Sequence, residues 1–156
     1  MPSFTVPISV RPADPDPSGP IRRLVSARVP VQVEVAPGRF VGPPPFVLDT
    51  GATYTTMSTT LARSRGIPFP TGTSRVAITT AAGIRGGLVR DGELRVRFLQ
   101  LPDRVFRLYC VFAEDVPPSV PPVFGLNDFL DVFRVTLDGA PRLGAPFGSI
   151  LFETLI

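Results

Sequence analysis

The chain of 156 residues contains no histidine and no lysine, so all 16 of its basic residues are arginine. Without histidine, neither a Ser-His-Asp nor a Cys-His nucleophile system can assemble from this chain. Zinc hydrolysis through imidazole ligands is excluded on the same ground. Without lysine there is no Schiff-base chemistry and no lysine-containing phosphate loop. The single cysteine, Cys110, allows no intrachain disulfide and no cysteine-based metal site, and it reads as a small buried hydrophobe. No apolar run reaches the ~18 residues expected of a membrane span, and Met1 to Val10 lacks the basic start and apolar run of a secretory signal. A soluble cytoplasmic protein is the expectation. Any acid–base catalysis must come from the 13 carboxylates.

What is present describes one globular domain. Hydrophobic residues make up 44% and charged residues 19%, a balance that supports a core. The net charge of +3 is spread along the chain with no dense basic tract, which argues against nucleic-acid binding. Val29, Val31, Val33 and Val35 alternate with Pro30, Gln32, Glu34 and Ala36, as in a half-buried strand. Phe4–Val10, Phe40-Val41, Phe46–Leu48, Val76–Thr80, Leu88-Val89, Leu94–Phe98, Val105–Ala113, Val123–Gly125, Val135–Leu137 and Ile150–Ile156 read as further strands. Arg11–Pro20, with four prolines, reads as an extended arm. A short helix is expected from Ser58, its cap, to Arg65, with Gly66 ending it. A second is expected over Asp128–Phe133 with Asn127 as cap. Many short strands with frequent turns imply a barrel or sandwich. The apolar strand at the very terminus is expected to lie at an open edge that a partner subunit covers.

The informative segment is Phe46-Val47-Leu48-Asp49-Thr50-Gly51-Ala52. An apolar strand runs into an acid, a hydroxyl residue and a glycine, and the glycine lets the loop turn back so that the carboxylate stands at the floor of a site. An ordinary strand-to-turn junction uses the same residue types. A Gly-containing hairpin follows, and then Pro122-Val123-Phe124-Gly125-Leu126-Asn127-Asp128-Phe129-Leu130. In these two segments and their order, roughly residues 25 to 156 resemble the retroviral-type aspartic proteases, the retropepsin-like family, in its soluble bacterial branch. Leu126 stands where the viral enzymes usually carry Arg, Thr53 and Tyr54 stand where some carry an acidic pair, and the Pro-rich arm has no clear counterpart.

The resemblance implies a mostly β fold, a closed acid-protease barrel with one or two short helices, dimeric. Residues 1–24 would be an N-terminal strand and arm, and 25–156 the protease domain. It implies an aspartic endopeptidase without metal or organic cofactor. Its substrate would be an extended peptide or unfolded protein, with neither nucleic acid nor membrane as partner. Two carboxylates sharing one proton are needed, and the chain has one Asp-Thr-Gly, since Asp138-Gly139-Ala140 lacks the Thr. A homodimer is therefore expected, with Asp49 and its symmetry mate as the dyad, Thr50 bracing the two loops and Gly51 supplying an N–H. Ala52 cannot donate a side-chain hydrogen bond to an ionised Asp, so a mildly acidic optimum is expected. The hairpin Val76–Val89 would be the flap, with Thr79, Thr80, Ala81, Ala82 and Gly83 at its tip and, with Ala52, against substrate. Val47, Ile78, Val123 and Phe124 are expected in subsite walls or core. The alternatives are a retropepsin-like module that dimerises or binds peptides without cutting, and an unrelated barrel with a coincidental turn.

Overall fold

In the computed structural model, residues 1–12, 23–49, 51–72, 74–80, 83–114 and 116–155 are described. Alternation of apolar and polar residues builds most of the strands. In β3 (Val31–Ala36), Val31 and Val33 are buried while Gln32 and Glu34 lie between core and solvent. The strand turns at Pro37-Gly38 into β4 (Arg39–Val41), and the two pair antiparallel. The valine alternation spans two strands, because Pro30 separates β3 from β2 (Arg23–Val29). A residue with no N–H cannot extend a paired ladder. Upstream, β1 (Ser3–Pro12) takes in Arg11 and Pro12 of the expected arm; the rest of that arm lies outside the described residues.

β5 (Phe46–Leu48) leads into the Asp49 loop, and β6 (Thr55–Ser58) follows it. Helix α1 (Thr59–Ser64) starts where expected. The hydroxyl of Ser58 accepts from the Leu61 N–H at 3.4 Å and donates to the Val116 carbonyl at 2.8 Å. The helix is followed by Gly66 at φ +68°, a left-handed conformation in which Gly has no side chain to strain. β7 (Ser74–Thr80) and β8 (Gly83–Phe98) form the expected hairpin, with Thr80 opposite Gly83. The sequence suggests two separate strands at Leu88-Val89 and Leu94–Phe98, but β8 runs through both without a break. Gly86 and Gly87 lie inside the strand, opposite Ala77 and Val76, rather than in its turn.

β9 (Phe106–Ala113) lies between β8 and β6, antiparallel to the first and parallel to the second. It is buried on alternate residues in its first half and throughout its last four, so only that end is covered on both faces. β10 (Val123–Phe124) inserts between β5 and β6. Helix α2 is shorter than expected, Phe129–Val132. Asn127 is not its cap: Asp128 holds that position at φ +60° and makes no side-chain capping bond. Its carboxylate instead accepts from the Tyr109 N–H at 2.8 Å. The chain then forms β11 (Phe133–Asp138) and β12 (Ser149–Thr154).

Among the described residues the strands form one sheet, in the order β11-β12-β1-β2-β5-β10-β6-β9-β8-β3-β4, with β7 on β8. It curls around a single core in which Phe46, Phe98, Phe124, Phe129, Phe133 and Phe152 are all but inaccessible. Phe98 sits at the centre, with ring centroids of Phe4, Phe106, Phe124, Phe129 and Phe133 all within 6.4 Å. Cys110 is fully buried, as expected, and burial pushes its thiol pKa well up. One sequence expectation fails here. The terminal strand is not an open edge: β12 pairs with β1 on one side and with β11 on the other. Its apolar residues are satisfied by the chain's own first strand. No described helix is long and apolar enough to cross a membrane.

Candidate active site

Asp49 takes its position from two short parallel strands. β5 and β10 pair Val47 with Val123 and Leu48 with Phe124. The backbone bonds run from Val47 N–H to the Pro122 carbonyl at 2.8 Å and from Asp49 N–H to the Phe124 carbonyl at 3.1 Å. Beneath them the rings of Phe46 and Phe124 stack at 4.3 Å between centroids, both fully buried. The apolar run before the acid is thus an anchor in the core, and Asp49 is the first residue past it to reach solvent.

The loop then folds back on its own acid. The Gly51 N–H donates to Asp49 Oδ1 at 2.8 Å, and the Ala52 N–H donates to the Asp49 carbonyl at 3.1 Å. One carboxylate oxygen is held by a backbone donor while the side chain stays exposed. The loop is also tied to the second signature. Leu126 N–H donates to the Ala52 carbonyl at 2.9 Å, and Asn127 N–H to the Thr53 carbonyl at 2.8 Å. The two segments that carry the sequence resemblance are therefore hydrogen-bonded to each other along their length.

Asp49, Gly51 and Ala52 are brought together; Thr50 lies outside the described residues, as do Ala81 and Ala82 of the hairpin. Thr79, Thr80 and Gly83 are joined at the hairpin's end, Thr79 opposite Ile84 and Thr80 opposite Gly83. Contact between that hairpin and Asp49 is not among the described contacts. Of the expected subsite walls, Val47 and Val123 are half-buried. Phe124 is core, because its ring packs on Phe46 and on Phe129 at 4.9 Å. The side chain of Ile78 is outside the described ones. A cavity of about 250 Å³ between the β3–β4 turn, Ile67-Pro68 and Glu93–Arg95 is separate, and Asp49 does not line it.

Sequence reading missed the residues that brace the loop from outside. Tyr54 and Tyr109, both partly exposed, meet edge to face at 5.4 Å. Tyr109 N–H bonds to Asp128, and its phenol faces Asp91. Burial first, then the Asp91 charge and hydrogen bond, raises the phenol pKa above its ordinary value. No local sequence signal links residues 54, 91, 109 and 128; only the pairing of β6, β8 and β9 does so.

The aspartyl protease family matches this chain over residues 29–127, well over half of its length. Among solved structures, the chain is similar to the EIAV protease complexed with the inhibitor HBY-793, at 15% identity and a TM-score of 0.45, covering 77% of this chain and 89% of that one. No match is found among curated proteins. The matched span holds both Asp49-Thr50-Gly51 and Val123-Phe124-Gly125, and the chain belongs to the aspartyl protease family, as its retropepsin-like signatures imply.

Proposed function

We propose that this chain is an aspartic endopeptidase working as a homodimer, with residues 25–156 as the protease domain. Asp49 of each copy supplies half of the catalytic pair. The observation that carries this is the state of Asp49: a solvent-facing carboxylate on a core-anchored strand end, one oxygen held by Gly51, in a chain with a single Asp-Thr-Gly. One such loop is half of a site. A second copy provides the other carboxylate, and Thr50 of each chain braces the two loops.

The chemistry follows from two carboxyl groups a few Å apart that share one proton. The ionised one takes a proton from a bound water as its oxygen attacks the peptide carbonyl carbon. The protonated one gives its proton to the carbonyl oxygen, leaving a neutral tetrahedral diol. Its collapse breaks the C–N bond: the departing nitrogen takes the proton of one carboxyl while a diol hydroxyl gives its proton to the other, so the product carbonyl re-forms and the pair again holds one proton. No metal or organic cofactor enters. The β7–β8 hairpin, with Thr79, Thr80, Ala81, Ala82 and Gly83 at its end, closes over an extended peptide beside Ala52 and shields the reaction from bulk water.

The test is cleavage of an unfolded protein substrate across about pH 3 to 7, the range in which a carboxyl pair titrates, beside Asp49→Asn. Cleavage by the parent alone, strongest in mild acid, is the expected result. Binding of the substrate without cleavage by either would move the reading to a peptide-binding module on the same fold.

A further inference from the structure

We infer that the cavity of about 250 Å³ between β3, β8 and the segment after α1 is a binding site for a free α-amino acid with an apolar side chain. Asp49 does not line it, so the site stands apart from the protease reading. Its volume falls below the ~300 Å³ at which sites for drug-sized ligands begin, and suits an occupant the size of one residue. Three charged side chains line it: Glu34 from β3, and Glu93 and Arg95 from β8. Glu93 and Arg95 stand two residues apart on one strand, so they share a face of the sheet. Ile67, a core residue, and half-buried Val35, packed on the same core, supply an apolar wall.

Arg95 is held ready for a ligand. Its Nη1 pairs with Glu34 Oε2 at 2.6 Å, and Glu34 Oε1 accepts the Gly38 N–H at 2.9 Å. The Glu34 side chain is 9% exposed, so these contacts fix the guanidinium to the β3–β4 turn. Yet Arg95 Nε is buried and has no hydrogen-bond partner among the described residues. A buried donor left unpaired is costly, and more so on a charged group. In the planar guanidinium the Nε and Nη2 hydrogens share one edge, and Nη1 lies off it. Glu34 therefore leaves open the edge that takes a carboxylate through two parallel bonds.

Charge narrows the class of ligand. Glu34 already balances Arg95, and Glu93 adds a second negative charge to the lining. A simple anion would enter against that excess. A ligand that brings its own ammonium group meets it instead. The Glu93 side chain is more than half exposed, and its ion pair with Arg107 is long, at 3.8 Å. Its carboxylate has acceptor capacity for a further donor. A carboxylate on Arg95, an ammonium on Glu93 and a side chain on Val35 and Ile67 together describe an apolar α-amino acid. Complete hydrolysis of a peptide releases molecules of this class.

Isothermal titration of the full chain with L-leucine tests this, with binding to one site at a Kd below about 1 mM as the expected result. N-acetyl-leucine lacks the ammonium and mimics a peptide's C-terminus. Leucinamide lacks the carboxylate and mimics a peptide's N-terminus. Each is expected to bind roughly tenfold more weakly than leucine. Arg95→Lys keeps a cation for Glu34 but has no Nε edge, and Glu93→Gln neutralises an exposed carboxylate. Each is expected to weaken leucine roughly tenfold, and Glu93→Gln should melt at the parent's temperature. No binding to the parent at about 10 mM leucine would overturn the site, as would leucine binding undiminished in both variants. N-acetyl-leucine or leucinamide binding as tightly as leucine would overturn the amino-acid assignment in favour of a peptide end. None of these results bears on cleavage through Asp49, which is tested separately.

Discussion

Gly125 lies flat against the backbone of Tyr54: a Cβ built on it would stand 2.5 Å from the Tyr54 carbonyl oxygen and 2.6 Å from its nitrogen. Those atoms belong to main chain and cannot swing aside. The contact joins the strand end after Phe124 to the loop that began at Asp49, five residues before Tyr54. Gly125→Ala is therefore expected to force the loop away from β10, at a cost of about 3 kcal/mol, the upper range for overpacking. Denaturant melts would read the stability loss. Cleavage should fall further than the folded fraction does, because the displaced element carries Asp49.

Thr55, the residue after Tyr54, is fully buried, and its hydroxyl has no hydrogen-bond partner among the described residues. An unpaired buried hydroxyl costs about 1–3 kcal/mol. Thr55→Val keeps the shape and removes the cost. It is expected to raise the urea midpoint by an amount worth about 1 kcal/mol without changing the slope. A fall in stability instead would mean that the hydroxyl finds a partner in solution.

Tyr109 gives a pH signature. Its phenol keeps its proton to higher pH in the folded chain than its ordinary value of 10.0, because burial and then Asp91 disfavour the phenolate. The folded state thus binds more protons than the unfolded chain from about pH 10 upward. The resulting stabilisation is present below that value and is lost as pH rises through the folded pKa. In an alkaline absorbance titration, the Tyr109 phenol is expected to ionise above the ordinary phenol value. Tyr109→Phe should remove that step, and Asp91→Asn should move it to lower pH.

The elements legible in the sequence are those whose cause is local. The valines of residues 29–35, the Ser58 cap, the Gly66 stop and the Asp-Thr-Gly loop all declare themselves within a few residues. The rest depends on what the chain meets later. Nothing near Ile150 says that β1 and β11 will flank it, so an interior strand reads as an edge. Gly86 and Gly87 look like a loop because glycine weakens strands, yet pairing with Val76 and Ala77 carries β8 through them. Asp128 looks like helix sequence, but its carboxylate is taken by the Tyr109 N–H on another strand. At the site, the sequence points to Asp49 and Gly51. It does not reveal that Gly125 and Tyr54 share one backbone contact, since nothing within either segment shows that β10 inserts between β5 and β6.

Phe124 separates support of the site from contact with substrate. Its ring stacks on Phe46 at 4.3 Å and packs on Phe129, while its carbonyl accepts the Asp49 N–H at 3.1 Å. The side chain serves the core and the backbone serves the loop. Phe124→Ala empties a fully buried site and is expected to cost about 3–5 kcal/mol. Phe124→Leu retains an apolar side chain of lower volume and the same backbone bond, so its loss should be smaller. For the Leu variant, cleavage measured well below its melting temperature should track the folded fraction, with KM unchanged. If instead KM for a peptide rises while stability holds, the ring reaches the substrate, and the wall of the binding groove begins at β10 rather than outside it.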